Sequence, residues 1–143
     1  MTAPCAKASF PPEESQTVEI MLAGKRVFIV EAEFLVALDI QRILEGAQAE
    51  ATVFARSVKE AQGIADRFAD FDLAILEMSE PDLSALALAQ ELAGAGVALV
   101  VTSADLPGQH DRPMLEGAPV VAKPFGDEEL LTACVLALAT SNC

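Results

Sequence analysis

An α/β fold, a doubly wound parallel sheet between two layers of helices, is the class this sequence predicts, and three observations predict it. From Lys25 onward, short runs rich in Val, Ile and Leu alternate with longer helical stretches. The runs are apolar almost throughout, the pattern of strands buried on both faces. The length of 143 residues, 52% of them hydrophobic, suits a single buried core.

In chain order, residues 25–31 (Lys-Arg-Val-Phe-Ile-Val-Glu) make the first strand, and residues 34–45 a helix with Asp39, Gln41, Arg42 and Glu45 on its wet side. Residues 51–55 form the second strand. Ser57-x-x-Glu60 is a capping box, which opens a helix running to about Phe68. Residues 71–77 are the third strand, 84–93 a helix, 97–101 the fourth strand and 119–122 a short fifth. Residues 127–139 are the last helix, and its acidic first turn suits the helix dipole. Between the fourth and fifth strands, residues 106–117 hold two prolines and two glycines, so any helix there is short. Residues 1–22, with Pro4, Pro11 and Pro12 and little periodicity, read as a flexible tail before a domain spanning 23–143.

Composition removes several functions. Nine Lys and Arg against 22 Asp and Glu give a formal charge of −13, which disfavours nucleic acid and anionic membranes, since both need cations to meet phosphates. Residues 85–104 have the length of a bilayer span, but Gln90 and Glu91 lie near the middle and Gly94-Ala95-Gly96 breaks the run into two soluble elements. Cys5, Cys134 and Cys143 have no metal-ligand or disulfide spacing, and the single His110 sits in a polar loop. The first 22 residues carry no apolar secretory segment, so a cytoplasmic protein is expected.

In an open parallel sheet the chemistry collects where strands end. The first strand ends in Glu31-Ala32-Glu33, the third in Glu77, the fourth in Thr102-Ser103-Ala104 and the fifth in Lys123-Pro124-Phe125. Carboxylates, hydroxyls and one ammonium therefore share a rim.

With these words in this order, the chain resembles the receiver domain of two-component response regulators: Val27-Phe28-Ile29-Val30-Glu31-x-Glu33, then Asp72-Leu73-Ala74-Ile75-Leu76-Glu77-x-x-x-Pro81-Asp82, Ser103-Ala104 and Lys123-Pro124-Phe125. The resemblance implies a flavodoxin-like five-stranded sheet in order 2-1-3-4-5, with the fourth helix here short or absent and the Lys-Pro bond cis. It makes Glu77 the equivalent of the phosphoacceptor, Glu31 and Glu33 the acidic rim, Ser103 (with Thr102 beside it) the switch hydroxyl, and Lys123 with Pro124 the lysine corner. Two positions depart from the family. Glu77 stands where an Asp is phosphorylated, and Ala32 stands where the second acid of the pair binds Mg²⁺ directly. Magnesium demands near-octahedral oxygen ligands at about 2 Å, and a methyl supplies none. Glu77 carries its carboxylate about 1.5 Å further out, into the space a metal or phosphoryl group would take. It could instead reach Lys123 in a permanent ion pair that imitates the phosphorylated contact.

The expectation is therefore a stand-alone atypical receiver without metal or cofactor, not an enzyme, working as a phosphorylation-independent interaction module of bacterial signalling. Its partners would be a histidine kinase, a histidine phosphotransferase or another regulator, and no effector domain is expected after Asn142-Cys143. Two rivals stand beside it. In one, Glu77 accepts a phosphoryl group with Glu31 and Glu33 holding Mg²⁺. In the other, the chain is a small doubly wound enzyme, which lacks a glycine-rich loop after the first strand and any rim His or Cys. Val120 stands where the family's switch aromatic would be. The nearly all-apolar last helix is expected to show Leu136, Ala133 and Ala137, with Leu130, to a second copy of the chain.

Overall fold

The computed structural model describes residues 22–78, 83–104 and 118–141. The strands are β1 (Arg26–Val30), β2 (Ala51–Ala55), β3 (Leu73–Glu77), β4 (Ala98–Ser103) and β5 (Val120–Ala122). The helices are α1 (Phe34–Gly46), α2 (Val58–Gln62), α3 (Leu83–Gly94) and α4 (Asp127–Ser141), with a 3₁₀ helix at Ala65–Asp70. All strand pairs are parallel, in the order β2-β1-β3-β4-β5. The expected fold class is the observed one. Residues 106–117, where the sequence leads to the expectation of a loop with at most a short helix, lie outside the described residues with His110, as do Cys5, Cys143, Pro81 and Asp82.

The sheet divides the interior in two. Val27 and Ile29 of β1 face a layer built with Ile40, Leu44, Leu130 and Ala137, while Phe28 and Val30 face one built with Phe68, Leu76, Leu88 and Leu92. This is the two-residue period of a strand feeding both cores at once. Phe28 is fully buried, its ring 5.1 Å from that of Phe71 and 5.8 Å from that of Phe68.

Three expectations need correction. The helix expected to run from the capping box to Phe68 stops at Gln62, with Gly63 as its C-cap, and the chain continues as a 3₁₀ helix. Gly63 keeps a right-handed φ of −65°, and the tighter winding that follows brings Phe68 and then Phe71 against Phe28. Leu22, expected in the tail, is fully buried in the α1–α4 layer, while residues 1–21 lie outside the described residues. The last helix turns Leu130, Ala133 and Ala137 into the core, leaving only Leu136 of the four exposed, at 55%. An α4 that covers β4 and β5 and also packs on α1 has no apolar stripe to spare.

The serine half of the capping box forms, and the glutamate reaches back one residue beyond the cap. Ser57 Oγ accepts from Glu60 N–H at 3.0 Å, and Glu60 Oε1 accepts from Arg56 N–H at 2.6 Å. Ser57→Ala is expected to cost about 1 kcal/mol in urea unfolding, because it leaves a first-turn amide without its acceptor. At the far end of α3, Gly96 takes φ +88°, so that Val97 N–H reaches Leu92 O at 3.0 Å and the chain turns into β4. Arg42 ties α1 to α4 with both arms of its guanidinium, 2.7 Å from Asp39 and 3.1 Å from Asp127.

Candidate functional site

The carboxyl ends of β1, β3, β4 and β5 meet at one rim, and hydrogen bonds just beyond the strands hold it. Met78 N–H donates to Thr102 O at 2.9 Å, Lys123 N–H to Ser103 O at 2.8 Å, and Glu31 N–H to Ala55 O at 3.0 Å. The Lys123–Pro124 peptide is cis. These links set where each rim side chain starts.

Lys123 lies between two carboxylates. Its Nζ is 3.1 Å from Glu31 Oε1, 3.2 Å from Glu31 Oε2 and 3.3 Å from Glu77 Oε2. The Glu31 side chain is 1% exposed, that of Lys123 14% and that of Glu77 25%. Glu31 Oε2 also accepts from Glu33 N–H at 3.1 Å. Burial raises the Glu31 pKa, and the Glu33 amide and Lys123 only partly offset it. Burial also works against the charged form of Lys123, but the contacts to Glu31 and Glu77 outweigh it and the ammonium pKa is raised. The cluster thus holds its cation firmly and its deeper carboxylate at a cost.

Asp127 lies on the other side of the balance, its pKa lowered by Arg42. In a carbon-detected carboxyl titration, Glu31 is expected to have its midpoint above the ordinary 4.5 and Asp127 below the ordinary 3.8. Equal midpoints would show that Glu31 is not buried as described.

The other rim residues have different fates. Ser103 and Thr102 are buried, and the Thr102 hydroxyl has no hydrogen-bond partner among the described residues. Ala32 is exposed and borders a shallow depression with Arg56 and Lys59. Glu33 caps α1 without a side-chain capping bond, is exposed, and lines a groove of about 610 Å³ with Leu35, Val36, Asp39, Lys123, Pro124 and Phe125. The sequence points Lys123 to Glu77 alone; the structure adds Glu31 as the tighter partner, and the groove, for which the adjacent apolar pair Phe34-Leu35 at a helix start is the available signal.

This donor set does not fit a divalent cation. Ala32 offers no oxygen, Glu33 brings only its amide to Glu31, and an ammonium sits between the two carboxylates that remain. Among the described residues no group of three acidic, histidine or cysteine side chains gathers around one point. Cys134 is enclosed in the core, where burial pushes its thiol up to about 12.

Solved structures share this architecture. A CheY-like response regulator receiver domain from Methanospirillum hungatei superposes with a TM-score of 0.67 at 17% identity, covering 83% of this chain and 97% of that one. CheY4 of Vibrio cholerae gives 0.66 at 19% identity, covering 81% and 100%. The response regulator PhyR from Brucella abortus gives 0.64 at 21%, covering 88% of this chain and 53% of that one, so this chain spans about half of PhyR. No family model and no curated protein matches the sequence. At these identities the likeness is one of fold: the molecule has the flavodoxin-like receiver fold. No described helix is long and apolar enough to cross a membrane.

Proposed function

We propose that this chain is an atypical receiver whose signalling contact is built in, working as a phosphorylation-independent interaction module of bacterial two-component signalling. The observation that carries it is Lys123 Nζ within 3.3 Å of both Glu31 and Glu77. In a phosphorylated receiver the lysine meets an anion delivered by transfer. Here the longer Glu77 brings an anion to the same lysine unaided. Residues 23–143, together with Leu22, form the receiver unit, with no resident metal and no catalytic residue. Its partner is a histidine kinase, a histidine phosphotransferase or another regulator in the cytoplasm. The docking face is α1 with the groove beside Lys123, where Phe34 is 59% and Leu35 77% exposed.

Intact-mass measurement after incubation with acetyl phosphate and Mg²⁺ tests this. The mass is expected to stay unchanged. A gain of about 80 Da, one phosphoryl group, that disappears in Glu77→Gln would instead establish Glu77 as a working acceptor.

A further inference from the structure

Among the described residues, β2 forms an edge of the sheet. β2 is the terminal strand, and among the described residues no strand lies on its outer side. Its five residues, Ala51-Thr52-Val53-Phe54-Ala55, hold no charge and no proline, the usual devices that keep an edge from pairing. The other edge, β5, is only three residues long.

The direction of the free backbone groups follows from one bond. Ala55 turns its carbonyl toward β1, accepting from Glu31 N–H. Alternation along the strand then points the N–H and C=O of Thr52 and Phe54 outward. In an antiparallel pairing of two copies about a two-fold axis at Val53, Thr52 of each copy lies opposite Phe54 of the other. Those are the two residues with outward donors and acceptors, so the ladder closes with each supplying both bonds.

The flanking charges agree with that register. Glu50 and Arg56 lie just outside β2, three residues before and three after Val53, so this register would bring each copy's Glu50 to the end of the ladder where the other's Arg56 lies. Both side chains are exposed, and neither enters an ion pair among the described residues. A slip of one residue either way loses both matches. Beside the edge, Phe54 is 36% and Leu38 39% exposed on the α1 side. The Gln41 Nε2 to Thr52 Oγ1 bond of 3.1 Å holds α1 against β2 on that side. A second copy would cover both.

We infer that the chain forms a two-fold dimer through antiparallel pairing of β2 with β2 of a second copy, centred on Val53 and framed by two Glu50–Arg56 contacts. An isologous contact of this kind closes on itself and stops at two.

Sedimentation equilibrium of the full chain across a concentration series tests the proposal, with circular dichroism confirming that each variant is folded. The unaltered chain is expected to dimerise. Glu50→Arg and Arg56→Glu should each weaken the dimer about tenfold, since each turns two attractions into two repulsions. Glu50→Arg combined with Arg56→Glu should restore it. Hydrogen exchange at the Thr52 and Phe54 amides of the unaltered chain should slow as concentration rises. A monomer throughout, a double exchange that fails to restore association, or protection of those amides that ignores concentration (the mark of residues 1–21 covering the edge) would each overturn the inference.

Discussion

Lys123→Met is expected to lower stability by about 3 kcal/mol near neutral pH, more than any other single change at the rim. Removing one partner of a buried ion pair leaves an uncompensated charge, an effect of about 3–5 kcal/mol. The low end applies because Lys123 and Glu77 are 14% and 25% exposed and water reaches them, whereas Glu31, at 1%, has no such relief. The pH dependence identifies the cause. The folded pKa of Glu31 is raised above 4.5, so its contribution to stability is greatest below that value and is lost as pH rises through the folded pKa. Lys123, raised above 10.5, contributes fully below that value and loses its contribution only as pH climbs through its own folded pKa. Taking the lysine away removes a contact that lowers the Glu31 pKa, so Glu31 moves further up. The gap between variant and parent should therefore be widest near pH 7 and narrow toward pH 5. Urea titrations at the two pH values check this. Adding Glu77→Gln should recover part of the loss. A variant within about 0.5 kcal/mol of the parent at pH 7, the size of an ordinary surface change, would mean that the three groups form a solvated cluster.

Phe28→Ala is expected to cost about 4 kcal/mol. The side chain is fully buried in the middle of β1, stacked on Phe71 with an interplanar angle of 17° and tilted 41° from Phe68. Truncating a buried phenylalanine costs about 3–5 kcal/mol through lost transfer and the cavity left behind. Two of the ring's neighbours sit on the 3₁₀ helix and its exit. That loss is a large share of a domain's usual 5–15 kcal/mol, so the thermal midpoint should fall steeply. The substitution acts on the α2–α3 face, while Thr102, Val100 and the lysine cluster belong to the α1–α4 side. The Glu31 titration midpoint should then survive wherever the variant is still folded. A loss below about 1.5 kcal/mol would show that the 3₁₀ segment collapses into the space.

The parallel sheet was legible because its three central strands are buried on both sides, and burial of that kind leaves unbroken apolar runs such as Val27-Phe28-Ile29-Val30 and Leu73-Ala74-Ile75-Leu76. The rim was legible because strand ends mark it. What the sequence did not reveal was direction. Glu31 and Lys123 are 92 residues apart, and only the order of strands brings them together. Glu33 follows Glu31 by two residues, yet the turn into α1 sends its side chain to the groove. In α4 the run from Leu130 to Ala139 is apolar on every side, so no periodicity told which face would be buried. The structure turns Thr132, Leu136 and Thr140 outward, one stripe at helical spacing. Likewise Phe71 and Asp72, read as strand, serve as its approach: Phe71 stacks on Phe28, and Asp72 Oδ2 accepts from Arg26 N–H at 2.9 Å.

The contact of Lys123 with Glu77 has a consequence for time. A phosphoryl group on a carboxylate arrives by transfer and leaves by hydrolysis, so its signal rises and decays with two rates. A carbon-bonded carboxylate that already meets the lysine has neither rate. Under the proposed function its message begins at folding and ends at degradation. The strength of such a signal is then the number of copies in the cell, adjusted by synthesis and proteolysis.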